Sequence, residues 1–494
     1  MSEYTEKRIL EIIPGGLIWA TFILGVLFSF IQPLWVIYFI ILFDLFWVLR
    51  LLYFIFFLLI SYRKYRKSTK TDWYTKLREL PGWEKHYHLI FLPTYGEPME
   101  VLENTFTELT KINYPLDKLI VVLGGEAKKR EDFLPKAEEI KSRYANKFHK
   151  LMITVHELAE DEIQGKGSNL NYMGRQVKVK QWIDQEGIRY EDIIVSSFDV
   201  DTVTHKNYFA NLTYLYMTVP EPTKASYQPV ALFGNNIWSA NPIVRISAFG
   251  TTFWLLSELA RPERLWTFAS HSMSFKMLTD VGFWQKDIVT EDTRIFLQGL
   301  THYNGNYRVV PIHLPVSMDA VTGENFWEAA KNLYKQQRRW AWGVEHLPYL
   351  VMKFRRDKIM PLRTKIKFVF NHIEGMYTWA VAPVLIFALG YLPLIAGQGV
   401  AEVHALFQNA PYTLEMLMRI AMIGVFISAI LSMTLLPRRP QTSPKHKYLI
   451  MILQWVLLPI TFVVFGALPA IDAQTRLMLG GGWRLGFNVT AKKR

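Results

Sequence analysis

The sequence predicts a water-soluble α/β domain, with a mostly parallel sheet covered by helices on both faces, inserted between N- and C-terminal membrane helices. Three observations predict it. Long apolar runs sit at both ends of the chain, a block of mixed polarity about 300 residues long separates them, and short β-branched runs alternate with helical stretches inside that block. Of the 494 residues half are hydrophobic, and 56 Lys and Arg against 43 Asp and Glu give a formal charge of +13. The chain has no cysteine, which excludes a disulfide framework, a thiolate zinc site and a thiol nucleophile.

The apolar runs are Ile12 to Ile31, Leu34 to Ile60, Val369 to Ala396, Leu414 to Leu436 and Tyr448 to Ala470. Each reaches the roughly 20 residues needed to cross a bilayer core. The first is long, lacks a small-residue cleavage site and is followed at once by another run, so it reads as a retained helix. Basic clusters border these runs at 63–70, 355–367 and 438–447. That placement marks the cytoplasmic side and ties the positive charge to the membrane rather than to nucleic acid.

The expected division is a transmembrane hairpin over 1–60, a cytoplasmic domain over 61–345 and an interfacial helix region over 346–368. Membrane helices follow over 369–470, then an amphipathic segment and tail over 471–494. Three crossings after the domain would leave the C-terminus outside, whereas Arg484, Lys492, Lys493 and Arg494 favour the inside. Tyr448 to Ala470, interrupted by Pro459, is the segment expected not to cross. Asp44 is costly in hydrocarbon unless paired or hydrated; it either serves a polar path or pairs with Arg50.

Inside the domain, strands are expected at His88 to Leu92, Leu119 to Leu123, Leu151 to Val155 and Ile193 to Phe198. Each precedes a helical stretch, from Pro98, Glu131, Ser168 and His205 respectively. Ligands of such sheets sit at the carboxyl ends of the strands. The residues there are Pro93 to Glu97, Gly124-Gly125-Glu126 and Asp199-Val200-Asp201.

Continuing the strand period of two would put Asp199 and Asp201 on one side, where Mg²⁺ or Mn²⁺ could take one or two carboxylates and fill its shell with water and phosphate oxygens. An Asp-x-Asp triplet also arises by chance in a chain this long. Thr290-Glu291-Asp292 opens a helical segment, so its acids are either first-turn residues favoured by the helix dipole or, for Asp292, a general base. Gln336 and Trp340 lie four apart on a helix beginning at Asn325, beside Arg339. Arginine grips a diphosphate bidentately and tryptophan stacks on sugar rings, while the same pattern suits a helix lying on a membrane surface. Gly165-Lys166-Gly167 lacks the spacing of a P-loop.

The ordered set Thr94-Tyr95-x-Glu97, Asp199-x-Asp201, Thr290-Glu291-Asp292 and Gln336-x-x-Arg339-Trp340, bracketed by membrane helices, resembles the membrane-embedded family 2 glycosyltransferases such as cellulose, hyaluronan and chitin synthases. The resemblance implies a GT-A-like fold and inverting transfer from a nucleotide-diphosphate sugar, a UDP-sugar as first expectation, using Mg²⁺ or Mn²⁺. It places Thr94, Tyr95, Glu97 and Lys166 on the nucleotide and Asp199 and Asp201 on the metal and donor diphosphate. Gln336 and Arg339 would contact the diphosphate, Asp292 would be the base and Trp340 would border the acceptor. Phe487, Val489, Thr490 and Lys492 are similar to the family's gating loop. Glu126 stands where family members usually carry an aspartate after the second strand; either it supplies that carboxylate with one more methylene of reach, or the nucleotide is recognised differently. The implied product is a growing polysaccharide at the cytoplasmic membrane face, coupled to export. Single-sugar transfer to a lipid acceptor is the alternative, and a catalytically dead transport or scaffold protein is an alternative of another class.

Overall fold

The computed structural model describes residues 2–175, 177–397 and 405–486. Its centre is an eight-stranded mixed sheet in the order β3-β2-β1-β4-β7-β6-β8-β5. The strands are β1 (Tyr87–Pro93), β2 (Leu119–Glu126), β3 (Lys150–His156), β4 (Ile193–Ser197), β5 (Val203–Thr204), β6 (Ala225–Leu232), β7 (His271–Ser274) and β8 (Arg308–Ser317). β3, β2, β1 and β4 run parallel. β7 is antiparallel to both of its neighbours, β6 and β8 are parallel, and β5 is antiparallel to β8.

The parallel strands are apolar on both faces because both faces are covered. Leu89 and Phe91 join one core, shared with Ile120, Val122, Val195 and the helices Lys166–Arg175 and Pro242–Leu259. Ile90 and Leu92 point the other way, into a core with Val121, Leu123, Ile194 and the helices Met99–Leu109, Arg130–Tyr144 and Tyr208–Thr218. Strand order reverses at β1, which lies between β2 and β4, and this switch point opens the crevice where ligands of such sheets bind.

Among the described residues, four helical stretches are long and apolar enough to cross a membrane: Glu3–Ile31, Pro33–Ser68, Phe407–Leu435 and Lys447–Leu479. A fifth candidate, Leu362–Phe387 with Leu389–Ala396, is bent by 49°. Lys447–Leu479 is not one uniform helix. Pro459 and Pro469 each lie in the first turn of a new α-helical piece, with 3₁₀ and π turns between the pieces.

Both ends of that stretch touch the soluble block or its flanks. Lys447 Nζ donates to the Trp238 carbonyl at 2.8 Å, Arg245 Nε donates to Gln454 Oε1 at 2.7 Å, and Arg338 meets Asp472 at 2.9 Å. The start of the first helix is held nearby. Glu6 pairs with Arg355 at 2.7 Å, Glu11 with Arg484 at 2.6 Å, and Arg8 donates to the carbonyls of Leu477 and Met478. Asp44 is buried, and its Oδ1 has no hydrogen-bond partner among the described residues. Arg50 pairs with Glu374 rather than with Asp44.

Candidate active site

The chain leaves β1 through a tight turn. Thr94 N donates to the Gly124 carbonyl at 2.7 Å, and Glu97 folds back so that its Oε2 accepts from Tyr95 N at 2.6 Å and from the Thr94 hydroxyl. Gly96 takes a positive φ of 92° that a side chain would strain. Thr94, Tyr95 and Glu97 thus form one hydrogen-bonded unit at the carboxyl end of the central strand.

At the end of β2, Glu126 is buried, and its Oε2 meets His156 Nδ1 at 3.0 Å; His156 Nε2 meets Glu162 Oε2 at 2.8 Å. Burial alone would lower the His156 pKa, but the two glutamates outweigh it and hold the imidazole above its ordinary value. Glu126 therefore stands where the sequence places it, with its carboxylate engaged by His156. The histidine escaped sequence reading because it is 30 positions away, yet Glu126 and His156 are register partners at the ends of adjacent parallel strands.

The period-of-two expectation for Asp199 and Asp201 ends where β4 ends, at Ser197. Beyond it the chain turns, with Thr202 N donating to the Asp199 carbonyl at 2.9 Å, and the two side chains find different surroundings. Asp199 stays partly exposed at the crevice. Asp201 is fully buried and accepts from Asp319 N at 2.8 Å. Asn235 Nδ2 ties the Asp201 carbonyl to Asp319 Oδ1, at 3.0 and 2.9 Å. Asn235 and Asp319 carry no local motif, which is why the sequence did not reveal them.

Lys166, at the start of the Lys166–Arg175 helix, joins the pieces. Its ammonium lies 2.8 Å from Asp199 Oδ1 and 2.9 Å from Asp292 Oδ1. Burial disfavours that charge, but Asp199, Asp292 and Glu291 together push the lysine pKa above its ordinary value. Gly167 makes the approach possible, since a Cβ there would sit 2.9 Å from Glu291 Cβ.

Glu291 is buried, and its pKa is pushed up to about 8 by burial and by Asp292, against the pull of Lys166 and Arg339. His271, at the start of β7, brings Nδ1 to 3.8 Å from Asp292 Oδ1, while burial keeps its pKa below the ordinary value. Thr267 also donates its hydroxyl to the Asp292 carbonyl at 2.6 Å.

The helix Phe326–Ala341 starts where Asn325 Oδ1 accepts from Glu328 N at 3.0 Å. A buried contact links its far end to the Thr290-Glu291-Asp292 turn: Glu345 accepts from the Thr290 hydroxyl at 2.6 Å and from Trp342 Nε1 at 3.0 Å. Arg339 acts on Glu291 electrostatically, and its buried Nε has no hydrogen-bond partner among the described residues. Gln336 and Trp340 line one pocket with Phe233, Ala320 and Val321, the last two directly after Asp319. Lys166, Asp199, Asp201, Asp292, Gln336, Arg339 and Trp340 are thus brought into one contiguous region. Phe487, Val489, Thr490 and Lys492 lie outside the described residues.

The donor set suits a hard divalent cation in one respect: Asp199 and Asp201 supply one or two carboxylates, the number Mg²⁺ or Mn²⁺ takes when phosphate oxygens and water complete its shell. No group of three His, Asp or Glu arranged to hold a metal by protein ligands alone occurs among the described residues.

No curated protein matches the chain. Two solved structures similar to it are the mannosyltransferase PcManGT from Pyrobaculum calidifontis in complex with GDP-Man and Mn²⁺, and S. aureus TarS 1-349 in complex with UDP-GlcNAc. The first is 13% identical over 82% of this chain and 98% of that one, with a TM-score of 0.41. The second is 10% identical over 72% and 98%, with a TM-score of 0.38. The sequence pattern described as Glycosyl transferase family group 2 matches residues 194–468, more than half of the chain, and runs from β4 and the Asp199 turn through Asp292 and the Gln336-to-Trp340 helix. With its GT-A-like mixed sheet, this chain belongs to family group 2 of the glycosyl transferases.

Proposed function

We propose that this glycosyltransferase performs a metal-dependent, inverting transfer from a nucleotide-diphosphate sugar to a growing polysaccharide at the cytoplasmic membrane face, in the manner of the polysaccharide synthases its motifs resemble. The observation that carries the reading is the single ammonium of Lys166 shared by Asp199 and Asp292, which puts a carboxylate suited to the donor phosphates beside a carboxylate suited to deprotonate an acceptor.

In this reading Asp292 takes the proton of the acceptor hydroxyl as that oxygen attacks the anomeric carbon, and the bond to the nucleoside diphosphate breaks on the opposite face. Asp199 and Asp201 would hold the divalent cation, which when bound would neutralise charge on the departing diphosphate. Arg339 and Gln336 bind the same phosphates, and Arg339 stabilises the charge that develops there. Thr94, Tyr95 and Glu97 shape the nucleotide side. Lys166 bridges both aspartates until the donor arrives, and Trp340 with Phe233 gives the acceptor an aromatic border. Glu126, fixed by His156, closes the crevice beyond β2.

The contacts of the helical stretches support four crossings. Glu3–Ile31, Pro33–Ser68, the bent Leu362–Ala396 pair and Phe407–Leu435 cross, and Lys447–Leu479 lies along the domain with both ends on its side. In this reading the start of the chain, the catalytic block and Arg484 share one face of the membrane, the cytoplasmic one by the position of the basic clusters, and the ion pairs Glu6–Arg355 and Glu11–Arg484 support it.

A panel of nucleotide sugars given to the purified protein with and without Mg²⁺ or Mn²⁺, followed by mass analysis of the products, tests the reading. A ladder or polymer that needs the cation supports it. One added sugar on a lipid replaces it with the single-transfer reading, and no consumption of any donor overturns it.

A further inference from the structure

Where the helix Pro33–Ser68 meets the soluble block, charged side chains gather that the transfer reaction does not use. Arg50, on that helix, pairs with Glu374 of the Leu362–Phe387 helix. Beside them, at the end of the Pro242–Leu259 helix, Glu258 pairs with Arg261 and stands 3.1 Å from Arg264 Nε. Arg50, Arg261 and Arg264 all act electrostatically on Glu258, so the five groups form one cluster. Three arginines face two glutamates, which leaves a net positive charge.

The arginines are not equally engaged. Arg261 is buried, bonded to the Ser257 carbonyl and hydroxyl at 3.3 and 3.1 Å, and lies over the rings of Tyr53 and Phe57 at 5.2 and 5.4 Å. Arg264 is about one-quarter exposed and is ion-paired through Nε to Glu258 at 3.1 Å, while its terminal nitrogens make no hydrogen bond among the described residues. A guanidinium anchored on one edge, with both terminal nitrogens still unbonded and a net positive charge around it, suits a bidentate oxyanion such as a phosphate.

The surroundings say where such an anion comes from. Leu49, Leu52, Tyr53 and Phe56, the neighbours of Arg50 along its helix, are 46–59% exposed, and so is Trp254 at 41%, edge-on to Phe268. An exposed apolar face edged by Tyr and Trp is what a helix shows to lipid at the headgroup boundary. Arg50 lies seventeen residues beyond Pro33, about 26 Å along the helix, close to the roughly 30 Å thickness of a hydrocarbon core.

We infer that Arg264, backed by Arg50 and Arg261, forms a binding site for the phosphate headgroup of an anionic lipid on the domain's side of the bilayer. The arginine fork grips the phosphate, the aromatic residues border the headgroup region and the exposed apolar face receives the acyl chains. The inference rests on the membrane placement proposed above and not on the assignment of Asp292. The two failures are distinguishable, because protease accessibility of a C-terminal tag on sealed vesicles reads the membrane placement without reference to lipid retention.

Delipidated full-length protein is reconstituted into nanodiscs of phosphatidylcholine mixed with phosphatidic acid, and the lipid that remains bound after extraction is weighed by native mass spectrometry. Wild type is expected to retain phosphatidic acid in preference to phosphatidylcholine, and Arg264→Gln to lose about tenfold of that preference, the size of one charge-assisted contact. Arg264→Lys should restore part of it, and Arg419→Gln, which removes an exposed arginine on another helix, should change nothing. Inorganic phosphate at millimolar concentration should displace the lipid from wild type, a measurement that needs no variant. Equal retention by wild type and Arg264→Gln overturns the inference, and so does binding of inorganic phosphate without lipid preference.

Discussion

Replacing Lys166 by methionine removes the ammonium that Asp199 and Asp292 share. Because Nζ lies 2.8 Å from one carboxylate oxygen and 2.9 Å from the other, the two oxygens are at most about 5.7 Å apart. Two unit charges at that distance repel by about 3 kcal/mol at an effective dielectric of about 20. Each 1.4 kcal/mol is about tenfold, so full ionisation of the pair becomes about a hundredfold harder once the ammonium is gone. Bound protons then compete for the carboxylate that must accept the acceptor's proton.

Turnover of Lys166→Met should fall progressively below wild type as pH drops, reaching about a hundredfold loss only on the acid limb, and should approach wild type as pH rises, because alkali removes the proton that the lost ammonium no longer displaces. Lys166→Arg keeps the charge and should keep most of the acid limb. The assay is donor consumption at saturating substrate from about pH 4.5 to about 9 for the three proteins. A methionine variant with wild-type turnover, or with a loss that is the same at every pH, would refute the reasoning.

Two further outcomes follow from the same crevice. Gly167→Ala places a Cβ 2.9 Å from Glu291 Cβ and 3.2 Å from the Gln285 carbonyl, so it should cost about 1–3 kcal/mol and lower turnover, whereas Gly250→Ala, which meets nothing within 4 Å, should do neither; thermal melting and kcat check both. Burial and Asp292 raise the Glu291 pKa from 4.5 to about 8, so the folded protein keeps a proton that the unfolded chain has released. Wild type should therefore lose a few kcal/mol of stability as pH climbs through that window, and Glu291→Gln should flatten the dependence in melting curves from pH 5 to 9.

The parallel half of the sheet was legible because β1 to β4 are each built on a short apolar, β-branched-rich run followed by a helix. The other half was not. β7 reads His-Ser-Met-Ser, whose hydroxyls are satisfied inside the sheet, as where Ser196 and Ser272 bond across β4 and β7 at 2.8 Å. β6 and β8 contain Pro229, Pro311 and Pro315, residues that argue against a strand, and the pairing of these two strands shifts register at Pro229 and Val230. In the site, the short motifs named the residues but not their partners. Lys166 is 33 residues from Asp199 and 126 from Asp292, and only the fold brings the three together. The same holds for Asp201 with Asp319 and for Glu126 with His156.

The central claim, that Asp292 removes the acceptor's proton in a crevice that holds the donor independently, is tested most directly by Asp292→Asn. With the nucleotide sugar identified by the substrate panel, donor affinity measured by equilibrium binding and kcat measured by product formation should separate. Affinity should stay within a few fold of wild type while kcat falls by about 10²–10⁴. A variant that transfers sugar at the wild-type rate, or one that loses donor affinity as steeply as turnover, would contradict the account.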